Sequence, residues 1–235
     1  MFRFLIIVTL SLVLSPPASS ASVCDDWNIL EKDIRDNLIE RNDAREKVIR
    51  LGKSLKEEYK EIIGGNEHYF PVEGYCGKCI GGSNGSGYHP AGYNFYDGNR
   101  HGGHPAHDLF IRDRRRCGLD DATGKPAEVI AFTDGVVVSV NPAWSYPSRI
   151  RGGVYIWIFN PGDNRYYYYA HLQKSLVVPG DRVKGGDTIA LLGRTGRNAW
   201  PKRSPTHLHF MCLSFDEGRM TPVNTYLELL TAKVK

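Results

Sequence analysis

Two histidines lie one residue apart, His207 and His209, and apolar residues alternate with them. Side chains two residues apart point to the same face of a strand, so both imidazoles would share one face while Leu208 and Phe210 pack into a core. Such a face can hold a metal ligand beside a catalytic base. The pair alone also fits a polar strand face without catalytic function, so its interpretation depends on other segments.

A second group of candidate ligands precedes the apolar residues 109–111. His104 and Asp108 are four residues apart, and a turn leading into a strand would let both side chains reach one cation. Neutral imidazole and carboxylate are suitable donors for zinc. A polar loop with a helix-capping Asp108 is the alternative, and spacing alone does not choose between His104 and its neighbours His101 and His107 as the ligand.

The central and C-terminal parts of the chain have the pattern of a β-rich domain. Short β-branched and aromatic runs alternate with turn residues such as Asn160–Asp163, and this close spacing is typical of antiparallel sheets with tight turns. The aromatic run Tyr166–Tyr169 leads into His171, which would lie at a strand end beside a groove. The predicted strands are residues 109–111, 128–132, 136–140, 154–159, 165–170, 188–192 and 208–213.

Taken in order, these segments resemble the lysostaphin/LytM-type zinc metallopeptidases, which cut peptide bonds in bacterial peptidoglycan. The resemblance covers about residues 68–230 and implies a mainly β fold, an antiparallel LytM-like (duplicated hybrid motif) domain preceded by a long α-helix. The shared motifs are His-x-x-x-Asp at His104–Asp108, a loosely matched Asp-Gly turn at Phe132–Val136, Tyr-x-His-Leu at Tyr169–Leu172, the repeated Gly-Asp pattern at Val177–Asp187, Gly-x-x-Gly at Gly193–Gly196 and His-Leu-His-Phe at His207–Phe210.

The resemblance implies a role for each of five residues. His104, Asp108 and His209 would bind Zn²⁺, and His171 and His207 would be catalytic. Three protein ligands leave an open position on zinc, and imidazole titrates near neutral pH, which suits proton transfer. The implied function is a zinc-dependent endopeptidase acting on peptidoglycan stem peptides or cross-bridges.

The candidate substrate-binding residues are Tyr169, Trp200 and Arg203. The tyrosine ends the aromatic run, while the other two lie in a link that is longer than the family usually has and that would form one wall of the groove. An enlarged loop at 141–153 carries Arg149 and Arg151, which either contact an acidic substrate or are solvated, the latter being the simpler account. Pro205-Thr206 stands where the family usually has Gly-Pro, a departure that bears on substrate preference rather than on the zinc site.

Residues 25–64 have the pattern of one long amphipathic helix that ends at Gly64-Gly65. Its heptad core positions are apolar but interrupted by charged and polar residues, which argues against a strict coiled coil. We therefore expect the segment to pack on the domain or to form a weak seam for self-association or a partner. The expected division is a signal peptide at 1–21, the helical segment at 25–64 and the catalytic domain at 68–235, which we expect to fold without the helix.

The first 21 residues have the features of an export signal. A basic residue, Arg3, precedes the apolar residues 4–14, and small or turn-forming residues follow. The apolar stretch is too short to span a bilayer comfortably, so an uncleaved anchor is the less favoured alternative. The product would be periplasmic, cell-envelope or secreted, with lipid attachment at Cys24 as a minor alternative.

The net charge of the chain bears on the partners that it could bind. The net charge is +4, and it falls to +3 without residues 1–21, where Arg3 is the only charged residue. This small excess of positive charge does not indicate a nucleic-acid partner.

Because export permits disulfides, we expect either a local bridge between Cys76 and Cys79 or bridges from them to Cys117 and Cys212.

Two other functions fit parts of the pattern. One is a non-catalytic LytM-like module that regulates a cell-wall amidase through its helix, and the other is a zinc peptidase that acts on a protein outside the wall. Such regulators typically lack several zinc ligands, whereas every ligand and both catalytic histidines are present here. Zinc content separates the first alternative from the enzyme.

Overall fold

The computed structural model describes residues 22–63 and 67–235. Within them, two N-terminal helices precede nine strands and a short C-terminal helix, with three 3-10 turns between the helices and the first strand. The elements are α1 (Val23–Asp36), α2 (Arg41–Glu58), β1 (Ala106–Phe110), β2 (Glu128–Ile130), β3 (Gly135–Asn141), β4 (Val154–Asn160), β5 (Arg165–Ser175), β6 (Arg182–Val183), β7 (Thr188–Leu192), β8 (His207–Asp216), β9 (Arg219–Val223) and α3 (Tyr226–Thr231).

The helical segment is confirmed, but the prediction of one continuous helix is wrong. A capping box starts α1, because the Ser22 hydroxyl accepts the Asp25 N–H and the Asp25 carboxylate accepts the Ser22 N–H. Asn37 then adopts a left-handed conformation with φ of 58° and ends α1. Asparagine tolerates this conformation better than most residues. The predicted end at Gly64-Gly65 lies outside the described residues.

All strand pairs of the sheet are antiparallel, as predicted. The main order is β1-β8-β5-β4-β3-β6, with β9 on β8 and β7 between β5 and β2. The seven predicted strands are present with ends shifted by a few residues. The sequence analysis missed β6, which has two residues, and β9, which contains Pro222.

The two faces of the sheet carry different packing. One face packs into a core that includes Leu208, Phe210 and Tyr169. The helices cover the other face, where Trp27 of α1 stacks on Tyr166 of β5 with ring centroids 4.7 Å apart. The buried helix residues on this face are Cys24, Trp27, Leu30, Ile34, Ala44, Val48, Leu51 and Leu55.

The helices were expected either to pack on the domain or to form a seam for self-association or a partner, and this packing favours the first. The apolar stripe faces the chain's own sheet, so it does not offer a seam for self-association. Even Gly52, which weakens α2 locally, has a packing reason, because a Cβ there would lie 2.7 Å from the ring of Phe215. Helices and sheet therefore share one hydrophobic core, which argues against the independent folding of residues 68–235.

The expected disulfides are not present. All five cysteines lie within the described residues and all are free. Cys212 is buried in β8, whereas Cys117 is exposed in the loop after β1, and Cys24 is buried with its thiol 3.4 Å from the Tyr59 hydroxyl. The expected signal peptide lies outside the described residues. Across 22–63 and 67–235, no helix combines the length and apolarity that crossing a membrane requires.

Candidate metal and catalytic site

The register of three strands brings the candidate ligands together. His209 of β8 pairs with Asp108 of β1 on one side and with Ala170 of β5 on the other. Directly opposed residues in a sheet share a face, so the carboxylate and the imidazole project from the same surface. His207 lies two residues earlier on β8 and therefore projects from that surface as well.

Three side chains converge on one point at this surface. The Asp108 Oδ1 atom lies 3.2 Å from His104 Nε2 and 3.1 Å from His209 Nδ1. The candidate ligand atoms of these three residues all lie within 4.8 Å of one another. His104 Nδ1 donates to the Gly87 carbonyl at 2.9 Å, which directs Nε2 toward the cluster. Two imidazoles and one carboxylate, held in this way, fit a zinc ion.

The ionisation of the three side chains bears on metal binding. Burial raises the pKa of the Asp108 carboxyl, but hydrogen bonds from His104 and His209 outweigh it and hold the pKa well below its ordinary range. Burial lowers the pKa of His209, against the opposing effect of Asp108, whereas the hydrogen bond to Asp108 raises the pKa of His104. Since an ionised carboxylate and neutral imidazoles are the forms that bind a cation, a metal would compete with a proton at His104.

His171 reaches the site through a β-bulge. Ala170 pairs with Tyr155 and Leu172 pairs with Val154, so His171 is the extra residue between them. It has a φ of +66°, a left-handed conformation that is uncommon for a residue with a side chain. The bulge turns the imidazole toward β8, where its ring centroid lies 4.9 Å from that of His207.

Both predicted catalytic histidines are anchored through the same ring nitrogen. His171 Nδ1 donates to the Thr195 carbonyl at 2.9 Å, and His207 Nδ1 donates to the Pro205 carbonyl at 2.8 Å. These bonds leave each Nε2 directed into a shared cavity of about 250 Å³. Burial lowers the pKa of His171 well below its ordinary value, and the neighbouring His207 and His209 lower it further.

The structure shows which of His101, His104 and His107 can serve as the metal ligand. Only His104 of the three joins the Asp108 cluster. His101 packs edge-on against Tyr93 at the rim of the cavity, and His107 points to the opposite side of β1, where its Nε2 bonds to Asn224 at 2.9 Å. Strand alternation explains the last placement, because His107 and Asp108 are adjacent residues.

The expectation that Tyr169 contacts substrate is wrong. This side chain is fully buried on the core face, where its hydroxyl accepts the Phe132 N–H at 2.9 Å. Tyr168 lines the site instead, with its ring centroid 6.1 Å from that of His209. Since Ala170 pairs with His209, alternation puts Tyr168 on the site face and Tyr169 on the other, but the sequence alone does not give that pairing.

The long link before β8 lies beside the catalytic cavity. Trp200 is 53% exposed and lines an adjoining shallow groove with Thr195 and Arg194, and it contacts Trp144. Arg203 is exposed and lines neither cavity. By contrast, Arg151 lines the catalytic cavity.

A hydrogen-bond network that was not predicted from the sequence holds the end of the link before β8 in place. The Thr206 hydroxyl donates to Asp113 at 2.7 Å and accepts from Arg194 at 2.7 Å. Arg194 also donates to the Ser204 carbonyl at 2.8 Å. The network ends directly before His207 and therefore fixes the backbone that carries this histidine. Arg194 lies within the Gly193–Gly196 motif and Thr206 in the departure Pro205-Thr206, but neither pattern indicates that the two side chains meet.

Comparison with known proteins connects part of this site to a family. Residues 114–222 match the family model described as Peptidase family M23. The matched segment contains His171, His207 and His209, whereas His104 and Asp108 lie before it. The matched segment also begins after both N-terminal helices.

Individual relatives match parts of the chain. An uncharacterised metalloprotease of Haemophilus influenzae is 36% identical over 104 residues, which are 44% of this chain and 20% of the relative. A zinc-containing peptidase of Vibrio cholerae has a TM-score of 0.45 at 28% identity, covering 72% of this chain and 41% of that one. The catalytic domain of lysostaphin from Staphylococcus simulans has a TM-score of 0.39 at 29% identity, covering 61% of this chain and 86% of that one. The chain thus spans about a fifth of the curated relative.

Proposed function

Because residues 114–222 match the model of peptidase family M23, we propose that the chain is an exported zinc-dependent endopeptidase that hydrolyses peptide bonds in bacterial peptidoglycan. The observation that carries the proposal is the convergence of His104, Asp108 and His209 beside two anchored histidines. Its residues supply both a metal site and proton-transfer groups, which peptide hydrolysis requires.

In this proposal His104, Asp108 and His209 hold the zinc ion. When bound, zinc acts as a Lewis acid that polarises the scissile carbonyl and acidifies water. The carboxylate also balances part of the ion's charge. The hydrogen bond from His104 to Gly87 holds one ligand ring in place before the ion arrives.

The two other histidines move protons. Since His171 and His207 each donate through Nδ1, their neutral forms carry a free lone pair on Nε2, which can accept a proton from attacking water. The same nitrogen can return the proton to the departing amine. The low pKa of His171 keeps its ring neutral near pH 7.

Substrate contacts are proposed on both sides of the cavity. Tyr168 and Arg151 line the cavity itself, and Trp200 offers an exposed ring in the adjoining groove. Arg203 follows on the same exposed link, where it is available to an acidic part of the substrate.

The test is digestion of defined cell-wall fragments by the purified protein, with products identified by mass. We expect cleavage with zinc and none after chelation. His209→Ala should lose both zinc and activity, whereas His207→Ala should keep zinc and lose turnover. His101→Ala is the matched control for metal binding and should keep zinc, because His101 lies at the cavity rim outside the ligand cluster.

The same experiment separates the two other functions. A protein that binds no zinc and cleaves nothing would be a non-catalytic regulator, and the proposal would then be wrong. A protein that binds zinc and cleaves unrelated polypeptides but no wall fragment would be a peptidase with a target outside the wall.

A further inference from the structure

A second pocket adjoins the candidate metal site on the side of the N-terminal helices. Its cavity volume is about 80 Å³. His209 and Tyr168 belong to the walls of both pockets, as do Arg151 and Gly152. A substrate lying over the metal site would therefore place a neighbouring group at this pocket.

About half of the pocket's lining comes from parts of the chain outside the matched segment 114–222. Helix α1 contributes Ile34, and the loop before β1 contributes Tyr93 and Phe95. The floor comes from the sheet, where Trp157 and Met211 are 5% exposed. The helices thus shape a wall beside the site as well as covering the sheet.

Two charged groups on the α1 side of the pocket are already paired within the protein. The buried Glu31 carboxylate accepts from the Tyr155 hydroxyl at 2.8 Å and from the Ser139 hydroxyl at 2.9 Å. Arg35 donates to the same Tyr155 hydroxyl at 2.8 Å and to Asn141 at 3.1 Å. Neither group is therefore available to a charged occupant, and Arg151, on the wall shared with the metal site, donates to the His101 carbonyl at 2.8 Å.

We propose that this pocket is a specificity subsite that takes an uncharged aliphatic side chain of the substrate peptide, next to the scissile bond. The inference rests on the proposed peptidase function. A volume of about 80 Å³ holds roughly two to three water-sized groups, which suits a side chain the size of valine or leucine. Aromatic and apolar walls disfavour an ionised side chain, which would lose its hydration.

The first test is the cleavage of a randomised peptide pool by the zinc-loaded protein, with cut sites identified by mass. Valine, leucine and isoleucine should be enriched at one position flanking the cut by roughly 10- to 100-fold over glycine. Aspartate and lysine should be disfavoured there. A pool cut with no aliphatic preference would overturn the subsite.

A pocket-filling variant locates the preference. Ile150→Trp adds bulk at the wall of the pocket, so it should reduce the aliphatic preference at least about tenfold while cleavage at glycine changes little. Ile29→Trp is the matched control, because Ile29 is 57% exposed on α1 and does not line the pocket. If Ile150→Trp proves unfolded by thermal melting, Ile150→Ala replaces it and should shift the preference toward phenylalanine.

A binding measurement separates failure of the subsite from failure of the enzyme proposal. In a His207→Ala background, a peptide with leucine at the selected position should bind about tenfold more tightly than its glycine counterpart, and adding Ile150→Trp should abolish the difference. Equal binding of both peptides would overturn the subsite even if the enzyme is active. If the unmodified protein cleaves no peptide, the peptidase proposal fails, and peptides with single leucine or glycine substitutions are compared for binding alone. A preference for leucine that Ile150→Trp removes would then still support the subsite.

Discussion

Replacing Trp27 by alanine tests whether the N-terminal helices are part of the domain core. Trp27 is 2% exposed and stacks on the buried Tyr166 with an interplanar angle of 11°. Truncating a buried tryptophan typically costs about 3–5 kcal/mol, a range that includes the lost contacts with neighbouring rings. We therefore expect Trp27→Ala to lower the free energy of unfolding by about 3–5 kcal/mol.

The measurement is thermal unfolding followed by circular dichroism. For a domain of this size, each kcal/mol shifts Tm by about 2–4 °C, so the variant should melt roughly 6–20 °C lower. Ile29→Ala, on the exposed side of the same helix, is the control and should change the free energy of unfolding by less than about 0.5 kcal/mol.

Equal melting temperatures for the two variants would refute the reasoning, because they would show that α1 does not pack on the sheet in solution. A biphasic transition in the unmodified protein, with only the first phase moved by Trp27→Ala, would show that the helices unfold as a separate unit. A single transition that moves as a whole is the expected result.

Four further outcomes follow from the same contacts. Deleting residues 25–58 should give insoluble protein, checked by soluble yield, because the sheet face that they cover is apolar. His104→Ala should lose zinc, measured by elemental analysis, whereas His101→Ala should keep it; the reverse order would reassign the ligand. Thr206→Val should keep zinc but lower kcat roughly tenfold with little change in KM, and Thr206→Ser should restore it. Burial raises the pKa of Glu31 above its ordinary value of 4.5. The stability that protonated Glu31 contributes is therefore fully present below about pH 4.5 and is lost as pH rises through its pKa in the folded state. Glu31→Gln should flatten the resulting fall of Tm above about pH 4.5.

Strand periodicity predicted one part of the site. The alternation around His207 and His209 predicted a shared face, whereas the interval from His104 to Asp108 fitted either a cation-binding turn or a polar loop. Both are local properties of one segment. The family resemblance supplied the roles of these residues, while the geometry that brings the two segments together comes from the pairing of Asp108 with His209, which no local pattern contains.

The failed expectations depend on information that is not local. Tyr168 and Tyr169 are adjacent residues of the same type, and only the β5–β8 register decides which of them faces the site. The break at Asn37 depends on one residue adopting a left-handed conformation, which an apolar stripe does not reveal. The disulfide expectation followed from the export signal, whereas bridge formation requires thiols that meet in space.

The position of the helices on the sheet links stability to specificity. Trp27 and Leu30 on α1 bury the sheet face, while Ile34, one turn further along, lines the pocket beside the metal site. A substitution that loosens α1 would therefore lower stability and also move a wall of the proposed subsite. Since the ligand candidates themselves are held by β1, β8 and the bulge at His171, such a substitution should alter which peptides are cut before it alters zinc binding. Measuring cleavage preference and zinc content on the same Trp27→Ala protein, below its melting temperature, distinguishes this order of effects from a general loss of the site.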